Sequence, residues 1–171
     1  MADEVTQPSV LRPMTTADLD LLLQIQREAA QVAFAMVFPQ DRFPFPTEAI
    51  RQRWEHELAD PDIACFVIVD SDRSMAGFAA VHGHQLLHFG TALGSWGSGL
   101  AHAAHAEVLA RWRAKGYQRS WLRVLEQNQR ARRFYERRGW QPTEERERSA
   151  FAPFPTLVTY DVDLSTPPQS A

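Results

Sequence analysis

Between Ile63 and Leu93 three apolar β segments follow one another with only short turns between them, and the last runs into the glycine-rich stretch GSWGSG and then an alanine-rich helix. This succession constrains the fold more than any other feature. "IACFVIVD" is almost continuously apolar, as a strand covered on both faces would be. "SDRS" reads as a turn, "MAGFAAVHG" as the return strand and "HQLLHFGTAL" as a third strand. A helix is predicted from about Leu100 to Lys115, with the stripe Leu100, Ala104, Val108 and Trp112 and with Gly116 beyond its end.

The flanking segments complete an alternating pattern. "SVLRPM" is a short extended segment, and Thr15 with Asp18 three residues on resembles a capping box for a helix with Leu19, Leu22 and Leu23 on one face. Pro39, Pro44 and Pro46 end that helix in a loop. Thr47 is expected to cap a second helix carrying Ile50, Trp54 and Leu58, stopped by Asp60-Pro61. After the glycine turn come a strand, "RSWLRVLE", a helix capped by Asn128, and two strands, "WQPTEERERSAF" and "TLVTYDVDL". The class is α/β: a mixed, mostly antiparallel sheet of six or seven strands with about four helices. One domain is expected over residues 10–164, with flexible ends at 1–9 and 165–171.

A net charge of −3 speaks against a nucleic-acid partner, and no apolar run reaches the length of a membrane helix. The start, MADEVTQPSV, lacks a signal-peptide pattern, so the cytoplasm is the expected compartment. The single cysteine, Cys65, lies in an apolar strand and reads as a buried thiol.

A glycine turn that opens a helix presents unpaired amides and a positive dipole end, which together favour a phosphate. Gly97, Ser98, Gly99, Leu100 and Ala101 supply such amides, with His102 next along. Neither a Walker lysine nor a third Rossmann glycine is present.

The order of these parts resembles the GNAT superfamily of acetyl-CoA-dependent N-acetyltransferases. Trp96, Gly97, Ser98, Gly99, Leu100 and Ala101 fill the places of its pyrophosphate motif. Val124, Asn128, Ala131, Tyr135, Gly139 and Trp140 fall in register with its later motif. The resemblance implies that acetyl-CoA is the co-substrate and that its arm lies between two splayed strands. It places the arm against the backbone of Thr91, Ala92 and Leu93, with Asn128 contacting it, and the pyrophosphate on residues 97–102. It makes Tyr135 the proton donor to the departing thiol, an uphill but small step from a phenol near about 10 to a thiol near about 8.5.

This chain departs from the family pattern at three places. Trp96 replaces a polar Gln or Arg, Leu93 a frequent proline, and Gln85 the glutamate that serves as base in some members. No Asp or Glu occurs between Arg73 and Ala106, so histidine is the substitute, with His88 preferred over His84. A metal site from His82, His84 and His88 is not expected, because carboxylate and thiol ligands are missing there. His102 and His105 are expected on the exposed face of their helix, and the arginines from Arg130 to Arg138 on a solvated one.

The loops "VFPQDRFPFP" and "AFAPFP" would flank the acceptor amine of a small molecule or peptide; they read as two packed loops or, functionally, as an apolar, aromatic mouth suited to a hydrophobic or aromatic amine, or as a homodimer contact. Cationic acceptors are disfavoured, since Asp41 is the only acid in either loop. The competing readings are a noncatalytic acyl-CoA-binding module of the same fold and, less favoured, an ATP-binding protein.

Overall fold

The computed structural model describes residues 8–166. One seven-stranded sheet runs through it in the order β1-β2-β3-β4-β5-β7-β6. Its strands are β1 (Leu11–Pro13), β2 (Ile63–Val69), β3 (Met75–His82), β4 (Gln85–Thr91), β5 (Arg119–Leu125), β6 (Gln141–Arg148) and β7 (Thr156–Asp163). Four α-helices accompany it: α1 (Leu19–Ala33), α2 (Thr47–Ala59), α3 (Leu100–Ala114) and α4 (Gln129–Glu136). The expected class and element order are therefore met.

The sheet separates two apolar cores. On one side α1 and α2 bring Leu22, Leu23, Ile50 and Trp54 against Cys65, Val67, Phe78 and Ala80. On the other α3 and α4 bring Val108, Trp112 and Tyr135 against Ile68, Leu122, Val158 and Tyr160. Val67 and Ile68 are neighbours in β2 yet belong to opposite cores, which is why that strand reads as an unbroken apolar run. Burial pushes the Cys65 thiol up to about 11, so it is an inert packing group.

Local signals behave as their chemistry suggests. The Asp18 carboxylate accepts from the Thr15 amide at 2.8 Å, and the Arg12 guanidinium beside it holds that carboxyl below its usual range. Asn128 Oδ1 accepts from the Ala131 amide at 3.1 Å and so caps α4. Thr47, in contrast, is the first residue of α2 and makes no cap bond; Pro46 holds the cap position. The expected flexible ends fall mostly outside the described residues. Ser9, inside the first of them, bonds to Glu107 and Leu11, and its carbonyl accepts from Arg73.

Candidate functional site

Six antiparallel or parallel contacts join the strands, and the weakest sets the site. β4 and β5 run parallel but pair only at Gln85 with Trp121 and Leu86 with Leu122. Beyond Leu86 the two strands part while each still pairs with its outer neighbour. The Ala92 amide donates to Ala76 of the β3 side at 2.8 Å. Antiparallel pairing alternates, so the backbone groups of Gly90 also face β3, and those of Phe89 and Thr91 face the split.

Of the expected backbone at Thr91, Ala92 and Leu93, only part is open to a ligand. The Ala92 amide is turned to β3, and the carbonyls of Ala92 and Leu93 accept from Ser95 and Trp96 in a tight turn. The Thr91 carbonyl accepts from the Trp96 indole Nε1 at 3.1 Å. What remains for an extended ligand arm is the amide and carbonyl of Phe89 and the amides of Thr91 and Leu93. Phe89 escaped the sequence reading because the direction of its backbone groups depends on strand alternation counted from a pairing partner.

The glycine turn forms a nest of backbone amides at the end of the split. Gly97 and Gly99 adopt φ of +79° and +87°, the left-handed region that favours glycine. Among the described residues the amides of Gly97, Gly99, Ala101 and His102 have no acceptor. The Leu100 amide is taken by Ser98 Oγ at 3.3 Å, and the Ser98 amide by the Ser95 carbonyl. No acidic side chain lies in the first turn of α3. Of the expected amides, those of Ser98 and Leu100 are thus taken up within the turn itself. Trp96 braces it: besides its bond to Thr91, its ring lies 3.8 Å beneath the Arg130 guanidinium at the start of α4.

On the α3 and α4 side the split is floored by aromatic rings. Phe89 stacks on Phe134, and His105, Tyr135 and Trp140 complete the group. His105 is buried, not exposed as expected: its Nε2 accepts from Trp140 Nε1 at 2.9 Å, which leaves its proton on Nδ1. Burial lowers its pKa to about 3. Tyr135 is buried, and its hydroxyl makes no hydrogen bond among the described residues. That oxygen is not one of the fully enclosed unpartnered atoms, which are Arg53 Nε and Ser120 Oγ, so it keeps an opening. Burial pushes the phenol well above its ordinary value. His102 is exposed and accepts from Arg138.

On the α1 and α2 side the first residue past the split with a titratable side chain is His88. Its Nε2 faces both oxygens of Glu57 at 2.8 and 2.9 Å, and its ring packs on Trp54 at 4.7 Å. Burial lowers the His88 pKa, Glu57 opposes this, and Arg53 adds to it. Neutral His88 therefore donates from Nε2 to Glu57 and leaves Nδ1 as a lone-pair nitrogen. Glu57 was missed from sequence, although it falls on the apolar stripe of α2 with Ile50 and Trp54, where a carboxylate needs a reason. His84 goes elsewhere, to the Arg119 carbonyl and the Tyr117 ring. The arginines are more than a solvated face, since Arg132 bonds to the Tyr160 hydroxyl and Arg138 to the Phe134 carbonyl.

The two Phe- and Pro-rich loops do meet. Val37 of the first and Pro153 to Pro155 of the second line a cavity of about 360 Å³ with Met36 and with Glu126 and Gln127, which follow β5.

The sheet splits beside a glycine turn, and sequence comparison gives the family. Residues 9–141 match the acetyltransferase (GNAT) domain, and the chain belongs to that family of acetyltransferases. No curated protein matches it at significant similarity. Solved structures share the fold at low identity. The PaiA N-acetyltransferase of Thermoplasma acidophilum, in complex with coenzyme A, superimposes with a TM-score of 0.71 at 16% identity, over 90% of this chain and 97% of that one. The spermidine N-acetyltransferase of Vibrio cholerae, in complex with coenzyme A and spermine, gives 0.67 at 15% identity, over 91% and 95%.

Proposed function

We propose that this chain transfers the acetyl group of acetyl-CoA directly to a primary amine, with His88 as the base and Tyr135 as the proton donor. The observation that supports this most is the parting of β4 and β5 immediately before His88, with free amides of the glycine nest at its far end. Bound acetyl-CoA supplies a thioester whose acetyl carbon exchanges its bond to sulfur for one to nitrogen. The amides of Gly97, Gly99, Ala101 and His102 would hold its pyrophosphate, and Phe89, Thr91 and Leu93 its arm. The Asn128 side-chain amide, whose oxygen is used by the cap, still has donors for it.

His88 Nδ1 takes the proton that the amine must lose. Glu57 positions the ring and stabilises the imidazolium that results. Tyr135 is protonated at neutral pH, as an ordinary phenol is, and its hydroxyl hands a proton to the departing sulfur, a step that burial makes more uphill than it is from an exposed phenol. The rings of Phe89, Phe134 and Trp140 keep water from that side.

The test is calorimetry with acetyl-CoA followed by thiol release over a panel of amines. Tight binding with turnover on at least one amine is expected. Binding without turnover on any amine would favour the noncatalytic acyl-CoA module instead. Absence of binding would sink both.

A further inference from the structure

Arg53 is a charged group near His88 that has no bonded partner among the described residues, although the Glu57 charge reaches it. It lies one turn before Glu57 on α2, yet Glu57 is turned to His88. None of the ion pairs or hydrogen bonds among the described residues involves Arg53. Its Nε is fully enclosed without an acceptor, while its terminal nitrogens are not enclosed. The guanidinium stands 6.0 Å over the ring of Phe151, which belongs to the loop between β6 and β7. A half-buried guanidinium is costly to leave unpaired and is shaped to take a carboxylate with two parallel bonds.

The neighbours narrow the class. Arg53 and Glu57 are a helical turn apart, about 6 Å along α2. The Arg53 charge acts directly on His88, so the cation and the base are close in space. Phe45 and Phe151 pack around the same core and offer apolar cover.

We propose that the acceptor is an amino acid with an apolar or aromatic side chain, its amine at His88 Nδ1 and its carboxylate on Arg53. This rests on the acetyl-transfer reading and adds the substrate class to it. It sets this chain apart from a polyamine acetyltransferase, whose acceptor has no anion for Arg53 to meet.

Thiol release from acetyl-CoA is to be measured with phenylalanine, phenylalaninamide, phenethylamine and spermidine, using the wild type, Arg53→Gln and Arg53→Lys. The readout is kcat/KM for phenylalanine over that for its amide, compared between proteins, so that the differing basicity of the two amines cancels. A charge-assisted pair predicts that this ratio falls by about tenfold to a hundredfold in Arg53→Gln, mainly through KM, with Arg53→Lys between. An unchanged ratio in Arg53→Gln overturns the proposal while acetyl transfer stands; so does spermidine as the best acceptor. If Arg53→Gln does not fold, an unchanged ratio in Arg53→Lys has the same force. No thiol release from any amine, with acetyl-CoA bound, overturns the acetyl-transfer reading and this one with it.

Discussion

The Trp96 indole nitrogen donates to the Thr91 carbonyl at 3.1 Å, joining the glycine nest to the last residue of the split strand. Without it that carbonyl would point unpaired into the opening. The same indole carries the Arg130 guanidinium on its face, so the nest is also tied to the start of α4. The residue that departs from the family's polar pattern is thus a brace for the cradle, built from a ring and one donor.

Trp96→Phe keeps a ring under Arg130 and removes the donor. Loss of a net hydrogen bond of about 1 kcal/mol predicts acetyl-CoA binding weaker by about fivefold, with kcat close to wild type. Trp96→Ala removes the stacking surface as well and should weaken binding further. Calorimetry decides; a Trp96→Phe protein that binds as the wild type does would mean the brace is idle.

Gly99 tests the nest itself. Its φ of +87° strains any other residue, and a Cβ there would meet nothing within 4 Å. Gly99→Ala should therefore cost about 1 kcal/mol of stability through backbone strain alone. Any loss of acetyl-CoA affinity beyond what unfolding explains reports a ligand close to that backbone. Denaturant melts with and without acetyl-CoA separate the two effects, and equal stabilisation of both proteins by the ligand would remove Gly99 from the site.

The elements were legible where period and punctuation agree. Pro39 to Pro46 can only be a loop, and Gly116 ends its helix as a residue with positive φ should. The Asn128 to Trp140 register was readable because all its members lie within one strand-to-helix turn and its helix. Glu57 and His88 are 31 residues apart and meet only because α2 packs on the sheet face to which His88 points. Nothing local in either segment announces that meeting, beyond a glutamate on an apolar stripe. His105 misled for the converse reason: α3 turns it toward Phe89 of β4, Phe134 and Tyr135 of α4 and Trp140, so a polar side chain there is enclosed and satisfied by Trp140.

His105 makes stability depend on acid. Its folded pKa of about 3 lies below the unfolded value near about 6.5, so the unfolded chain binds a proton that the folded one refuses. Stability is then complete above about pH 6.5 and falls as the pH drops toward 3, by a few kcal/mol at most. His88, lowered in the same direction, adds to the loss. Urea melts between pH 7 and pH 4 should show it, and His105→Gln should flatten the dependence. A wild-type stability unchanged to pH 4 would contradict a neutral buried imidazole.

Tyr135→Phe removes a hydroxyl that makes no bond within the fold, so the melting temperature should stay within about 1 °C of the wild type. If that hydroxyl donates to the departing sulfur, kcat falls by about a hundredfold with acetyl-CoA affinity nearly unchanged. An acceptor with an unusually acidic amine would not rescue it, because the missing proton is needed at sulfur. Turnover equal to that of the wild type would take Tyr135 out of the chemistry and leave it a core residue.

Glu57→Gln separates orientation from basicity at His88. The amide keeps the size of the side chain, and its oxygen can still accept from Nε2, but the charge that favours the imidazolium is gone. Glu57 holds the His88 pKa up against burial and Arg53, so its removal drives that pKa lower still. A general base acts above its pKa. The acidic limb of the kcat/KM profile should therefore move to lower pH in Glu57→Gln, while the plateau falls by about tenfold to a hundredfold because a weaker base takes the amine proton. His88→Gln should abolish the limb and lower the plateau further. A limb that stays where the wild type has it would assign that ionisation to the acceptor amine or to another group, and His88 would then be a buried packing residue held by Glu57.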